Sequence, residues 1–427
     1  MRRRPGEAKV SGREGAAARI RMRLFEDGGI PVVSLEIVSP RIRGFICTNA
    51  HPAGCAASVD AQIRTAEKAG AGFRKGGNAL VVGASTGYGL ASWIAAAFGR
   101  RMSTLGVFFE RPPSEKKTAT AGYYNAAAVA RRASEKGVRV AAINGDAFSH
   151  AVKREVLDHV RRDFAPLDLV IYSLASPVRV HPDDGRTIRS TLKPVGSPYT
   201  TKTIDLDHDR VTEVTLEPAS PEEIADTVAV MGGDDLSRWI RALSEAGLLA
   251  ADVRVLAYSY VGPKLTWPIY RTGTIGLAKA DLEKTARELD AALKHAGGRS
   301  WVSVNAAVVT QASSAIPGVP LYLAIANKIL RERGLERPID QILRLFADHA
   351  GSGKTPSFDD EGRIRMDDRE MKEDVQQLVA ERWRAITTET LPVLADLNAF
   401  KHEFRQLFGF EVDGVDYQAP VEIHVAL

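Results

Sequence analysis

The chain has 427 residues, 44% hydrophobic and 26% charged, a globular composition with room for a large core. No stretch approaches the roughly 20 apolar residues of a membrane span, and two cysteines, Cys47 and Cys55, are too few for a disulfide framework and fit a reducing, cytoplasmic setting. The net charge of +4 resides in the first 28 residues, where eight Lys/Arg face four Asp/Glu, and the balanced remainder argues against nucleic acid as a partner.

Residues 1–34 read as a basic, disordered extension without the apolar segment of a secretory signal. Residues 35–427 read as a single domain. Near its start Cys47, His51 and Cys55 stand four apart, a spacing that would put three metal ligands on one face of a helix. Pro52 and Gly54 argue against a helix there and no fourth ligand is near, so no metal is expected.

From about residue 74 onward, short apolar runs alternate with amphipathic ones. The runs at 79–83, 104–109, 138–143, 167–172, 253–258 and 301–309 are rich in Val, Ile, Leu and Ala without strict alternation, as in strands covered on both faces. Between them, 91–98, 123–136, 151–163 and 273–296 read as helices. This order predicts an α/β fold with a doubly wound parallel sheet, Rossmann-like, its core spanning about 76–330 and its ligands at the carboxyl ends of the strands. The rhythm breaks in a lid insertion, about 177–250, where helical patterning resumes at Pro221 behind Ser220 as N-cap. Segments 321–333, 338–347 and 366–388 read as helices of a C-terminal cap, about 331–427.

The chemistry collects at strand ends. The loop Gly83-Ala84-Ser85-Thr86-Gly87-Tyr88-Gly89 joins the first strand to a helix, where free N–H groups can bind a pyrophosphate and glycine lets the backbone approach it. Glu110, after Phe109 at the end of the second strand, can accept from ribose hydroxyls and would repel a 2′-phosphate, which predicts NADH over NADPH. Asp146-Ala147 and Leu174-Ala175 follow the third and fourth strands. After the fifth come Tyr258, Tyr260, Lys264, Tyr270 and Lys279. A tyrosine beside a lysine suits hydride-transfer chemistry, the phenol bonding a carbonyl while the ammonium holds cofactor ribose and lowers the phenol's pKa. Tyr260 and Lys264 have the four-residue interval of short-chain dehydrogenases, but Gly262-Pro263 breaks the turn that would align them. Tyr270 and Lys279 are the better pair. Nine residues of continuous helix would leave them on opposite faces, so Tyr270 is expected ahead of the helix and Lys279 within it. Gly273 and Gly276 would then let the backbone approach the cofactor. Tyr258 reads as a buried core aromatic.

On these residues the chain resembles the trans-2-enoyl-CoA reductases, also described as type V enoyl-acyl-carrier-protein reductases. The match rests on residues 41–47, His51-Pro-Ala-Gly-Cys55, Gly83 to Gly89, Phe109-Glu110, Tyr260-Val-Gly-Pro263, Tyr270-x8-Lys279 and residues 308–317, and runs from about Ser39 to the C-terminus. The basic head is a departure from the family. The resemblance implies NADH contacts by Gly83, Ala84, Ser85, Thr86, Gly87, Tyr88, Phe109, Glu110, Asp146, Ala147, Leu174, Ala175, Lys279, Val308, Val309 and Thr310. It implies Tyr270 as proton donor, Tyr260 as substrate-binding residue, no metal, a monomer, and NADH-dependent reduction of a 2-enoyl thioester carried on coenzyme A or acyl carrier protein. Two alternatives remain at this stage: a short-chain dehydrogenase acting on a carbonyl or alcohol, in which Tyr260 and Lys264 would matter most, and a non-catalytic NAD-binding sensor.

Overall fold

The computed structural model describes residues 35–72, 75–115, 117–350 and 356–427; the basic head lies outside them. Seven strands form one sheet: β1 (Asn78–Val82), β2 (Ser103–Phe108), β3 (Val140–Asn144), β4 (Leu167–Tyr172), β5 (Leu249–Ser259), β6 (Arg299–Val304) and β7 (Ile364–Arg365). Their order is β7-β6-β5-β4-β1-β2-β3, and every neighbouring pair is parallel. The order reverses beside β1, so a crevice opens between the loops after β1 and β4, the usual ligand position in such sheets.

Both faces are covered, which explains why the strand runs lack alternation. One face carries α1 (Pro52–Ala69), α2 (Gly87–Ile94) and α3 (Ala121–Glu135), through Val59, Ile63, Leu90, Trp93 and Val129. The other carries α4 (His150–His159), then, beyond α5 (Pro221–Met231), α6 (Asp234–Glu245), and, beyond the one-turn α7 (Trp267–Tyr270), α8 (Thr274–Lys294). In α6, Leu236, Trp239, Ile240 and Leu243 recur at three- and four-residue steps, so one stripe meets the sheet. The cap forms a third core around α9 (Val319–Arg331), with α10 (Pro338–Leu345) reaching back to the first face, and α11 (Glu373–Ala385) and α12 (Leu397–Gln406) packing Val375, Val379, Phe400 and Phe404.

Three local expectations change. Residues 52–69 are helical despite Pro52 and Gly54. Proline occupies the first turn, where its missing N–H is no loss, and the His51 ring accepts from the Gly54 N–H as N-cap. Gly54 is required there, because a Cβ would stand 1.7 Å from the Gly409 carbonyl oxygen. The insertion contains two antiparallel hairpins, Val178–Val180 with Thr187–Arg189 and Tyr199–Asp205 with Arg210–Leu216, while α6 belongs to the layer on the sheet. The sixth strand stops at Val304 and the helix expected from Met366 begins at Glu373, leaving turns at 305–310 and 366–372. Ser220 caps α5 as expected, in a reciprocal pair with Glu223.

Trp239 is 1% exposed against the sheet. Trp239→Ala should lower unfolding free energy by about 3–5 kcal/mol in urea denaturation.

Candidate active site

Because all strands run one way, the loops after β1 to β6 emerge at a single edge. Gly83 turns the chain with φ +89°, and a Cβ there would stand 2.3 Å from the Ser173 oxygen beyond β4. A Cβ on Gly89 would lie 1.8 Å from the Gly83 oxygen, so helix and strand meet only through glycine. Thr86 is the extended N-cap of α2 and makes no side-chain cap, which leaves the first N–H groups of the helix for another acceptor. Beneath the loop, Ala84 is fully buried and donates its N–H to Val107.

Thr86, Gly87, Glu110, Val308, Val309 and Thr310 line one cleft of about 1010 Å³ with Gly122 and Asn125. Glu110 Oε1 accepts from the Ser85 hydroxyl at 2.7 Å, and its backbone exchanges two 2.8 Å hydrogen bonds with the Asn144 side chain. A Cβ on Gly122 would fall 2.0 Å from Glu110 Oε1, so that glycine makes room for the carboxylate. Asn125 holds the loop by donating to the Ser85 carbonyl at 3.0 Å. Gly122 and Asn125 were missed in the sequence, although a glycine in the first turn of a helix was a usable signal. Phe109 is 76% exposed at the strand end, an unusual place for a large aromatic. Asp146, Leu174 and Ala175 follow β3 and β4 on the same edge but do not line this cleft. Ala147 is buried, and its carbonyl accepts from Lys153.

Tyr260, Tyr270 and Lys279 lie beyond β5 and do not line this cleft either. Tyr270 ends α7, and Lys279 lies in the second turn of α8, the offset that the nine-residue interval requires. Gly273 and Gly276 pack α7 on α8: Cβ atoms there would strike the Pro268 and Arg271 carbonyl oxygens at 2.4 and 2.3 Å. The Tyr260 and Tyr270 rings meet edge to face with centroids 4.7 Å apart. Burial raises the pKa of both phenols, with Glu370 adding to it. Among the described residues no protein group hydrogen-bonds the Tyr270 hydroxyl, whereas the Tyr260 hydroxyl and the Glu370 carboxyl share a hydrogen bond of 3.1 Å. Lys279 Nζ donates to the Tyr258 carbonyl at 3.3 Å, and burial lowers its pKa to about 8. Tyr258 shares a 2.6 Å hydrogen bond with Ser92 in the core, and Lys264 is exposed. Glu370, in the turn before α11, gave no sequence signal.

The three metal-spaced residues are otherwise employed: Cys47 Sγ donates to the Asn49 carbonyl, His51 caps α1, and Cys55 is buried. Among the described residues no cluster of His, Cys, Asp and Glu could hold a metal ion, and no helix is long and apolar enough to cross a membrane.

A glycine turn feeding an uncapped helix, an acid at the next strand end, and a tyrosine–lysine pair beyond the fifth strand define a Rossmann-type dinucleotide oxidoreductase. Family comparisons narrow it. Residues 37–115 match the NAD(P)H binding domain of trans-2-enoyl-CoA reductase, residues 117–350 the trans-2-enoyl-CoA reductase catalytic region, and residues 358–421 an enoyl reductase FAD binding domain. An enoyl-[acyl-carrier-protein] reductase [NADH] of Opitutus terrae is 52% identical over 392 residues, 92% of this chain and 100% of that one. Its counterpart in Flavobacterium johnsoniae is 53% identical over 386 residues, 90% and 97% of the two chains. The crystal structure of Treponema denticola trans-2-enoyl-CoA reductase in complex with NAD superposes with a TM-score of 0.88 at 44% identity, covering 92% of this chain and 99% of that one. The chain belongs to the trans-2-enoyl-CoA reductase family.

The residues of 358–421 do not fit a flavin dinucleotide. Their wall of the cleft presents Glu403 and Asp413. α11 opens on Glu373 and Asp374, the latter paired with Arg333, and α12 on Asp396, which caps it and pairs with Arg331, so neither helix start is left free for a pyrophosphate. Phe400, Phe404, Phe408 and Phe410 fill the interior of the segment. The glycine loop, with its uncapped helix start, and the Glu110 carboxylate suit the pyrophosphate and ribose of NADH.

Glu110→Ala should relax the preference for NADH over NADPH, read as the ratio of kcat/KM for the two; an unchanged ratio removes Glu110 from the site. The Lys279 ammonium is lost as pH rises through about 8, so NADH affinity, measured by calorimetry, should fall above that pH, and Lys279→Arg should keep it level.

Proposed function

We propose that this chain reduces the carbon–carbon double bond of a trans-2-enoyl thioester with NADH, Tyr270 serving as proton donor, Tyr260 as substrate-binding residue and Lys279 as ribose-binding cation. The enzyme is an NADH-dependent enoyl-thioester reductase of fatty-acid metabolism. The observation that carries the residue assignment is the pairing of Tyr260 and Tyr270 rings at 4.7 Å beside the strand end from which Lys279 is also reached.

Bound NADH supplies the hydride for the β-carbon of the substrate. The protein's task is to stabilise the charge that then develops on the thioester oxygen. Tyr270, whose hydroxyl is not committed to any described protein group, donates to that oxygen. A phenol held in a water-poor pocket binds the enolate more strongly than the neutral thioester, and that difference lowers the barrier. Burial raises the Tyr270 pKa, opposite to the lowering expected from a lysine neighbour, so the phenol acts first as a hydrogen-bond donor to the forming enolate. Lys279 approaches through α8 with its ammonium on the Tyr258 carbonyl, close to the strand end where a ribose would rest. Gly83 to Tyr88 would seat the pyrophosphate, and Ala147, beside Asp146, would contact the cofactor beyond β3. Phe109, Glu110, Asp146, Leu174 and Ala175 would surround the adenosine, and Val308 to Thr310 the nicotinamide. The insertion serves as a lid: the Tyr199 hydroxyl bonds the Leu265 carbonyl ahead of α7, and Lys202 caps the carbonyl end of α11. Two buried free cysteines suit a cytoplasmic setting, and the family resemblance is what implies a monomer.

Tyr270→Phe should reduce crotonyl-CoA-dependent NADH oxidation by about 10²-fold or more while NADH affinity stays within about twofold. Near-normal turnover would refute the assignment. Wild-type protein that binds NADH but never oxidises it with crotonyl-CoA would be a sensor.

A further inference from the structure

Glu370 is 2% exposed and has no basic residue within ion-pair distance among the described residues, an expensive situation for a carboxylate. Its Oε2 accepts from the Ala307 N–H at 2.6 Å, which ties it to the 305–310 turn. Its Oε1 meets two phenols, Tyr322 at 2.6 Å and Tyr260 at 3.1 Å. Gln376 fixes the sense of one of these bonds. Its amide donates to the Glu370 backbone carbonyl at 2.7 Å and to the Tyr322 oxygen at 3.3 Å, so the Tyr322 proton points to Glu370. The Tyr260 bond can then run either way, according to whether Oε1 carries a proton.

We propose that Glu370 is a positioning residue that sets the direction of the Tyr260 hydroxyl. As a carboxylic acid it donates to the Tyr260 oxygen and frees the phenolic hydrogen for the substrate's thioester oxygen. As a carboxylate it takes that hydrogen, and Tyr260 then shows the substrate only lone pairs, which repel the oxygen it should bind. The chain of donors runs Gln376, Tyr322, Glu370, Tyr260, substrate. This rests on the assignment of Tyr260 to the substrate made above. Burial supports the acid form by raising the Glu370 pKa to about 7, against the two phenols and the Ala307 N–H, which favour the carboxylate. Other titratable groups facing it are Tyr88 on α2, Tyr270 on α7 and Asp367, the last paired with Arg365 at 2.7 Å.

The test is kcat/KM for crotonyl-CoA at saturating NADH between pH about 6 and about 8. In the wild type it should fall about tenfold across that window as Glu370 ionises. Glu370→Gln, which donates at every pH, should flatten the profile. Tyr322→Phe removes a donor that favours the carboxylate, so it should move the fall to higher pH. An equal fall in Glu370→Gln, a flat wild-type profile, or an unmoved inflection in Tyr322→Phe would each overturn the proposal. Loss of turnover in Tyr270→Phe alongside such a result would leave the reductase assignment standing and remove only the role of Glu370.

Discussion

Six loops meet at one edge because every strand of the sheet runs in the same direction. Parallel strands need crossovers, the crossovers cover both faces with helices, and function is left to the carboxyl ends. The glycine loop, Glu110, the tyrosines and the 305–310 turn are far apart in sequence, and this one constraint assembles them. The turn from β1 into α2 is its tightest point. Gly83 abuts the Ser173 carbonyl and Gly89 abuts Gly83, so the helix start that faces the cleft is seated directly on the sheet.

Around that edge the protein buries several polar groups, each with partners. Lys153, Asp235 and Tyr172 form one cluster under the sheet, with Lys153 also bound to the Ala147 and Phe148 carbonyls. Tyr260, Tyr322, Gln376 and Glu370 form another beside Tyr270. The first holds a cation against its acid and stays on the structural side. The second contains a carboxyl without a cation, bonded to the phenol that we assign to substrate binding. A buried acid in that position is sensitive to its surroundings in a way that a salt-bridged one is not.

The C-terminal cap completes the site from the far side of the chain. Its aromatic interior packs on α9, and the turn before α11 delivers Glu370 to the tyrosines. Sequence similarity matches this segment to a flavin-binding description, but its helix starts are occupied by carboxylates and its interior is filled, and what it visibly contributes is packing on α9 and the Glu370 carboxyl.

Strand and helix periodicity, the glycine loop, the acid after Phe109 and the Tyr270–Lys279 interval were all legible because each depends on neighbours along the chain. Pro52 was misjudged because the same residue ends a helix or begins one according to which turn it occupies. The insertion's second hairpin escaped because its residues, in Thr200 to Thr215, are mostly polar, with Ile204 and Val211 among the few that pack on the core. Gly273 and Gly276 could be recognised as close-approach points, but what approaches them depends on how α7 folds against α8.

The sequence alone determined six of the seven strands, their common direction and the residues that follow each, because backbone propensity and hydrophobic spacing act locally; the two-residue β7 was too short to leave a pattern. Only the tertiary structure decided that Gly122 admits Glu110, that Tyr260 stands against Tyr270, and that a glutamate a hundred residues further on lies behind them. Those contacts join segments with no pattern in common. What selects them is the fit of buried atoms, and that fit exists only once the cap has closed on the sheet.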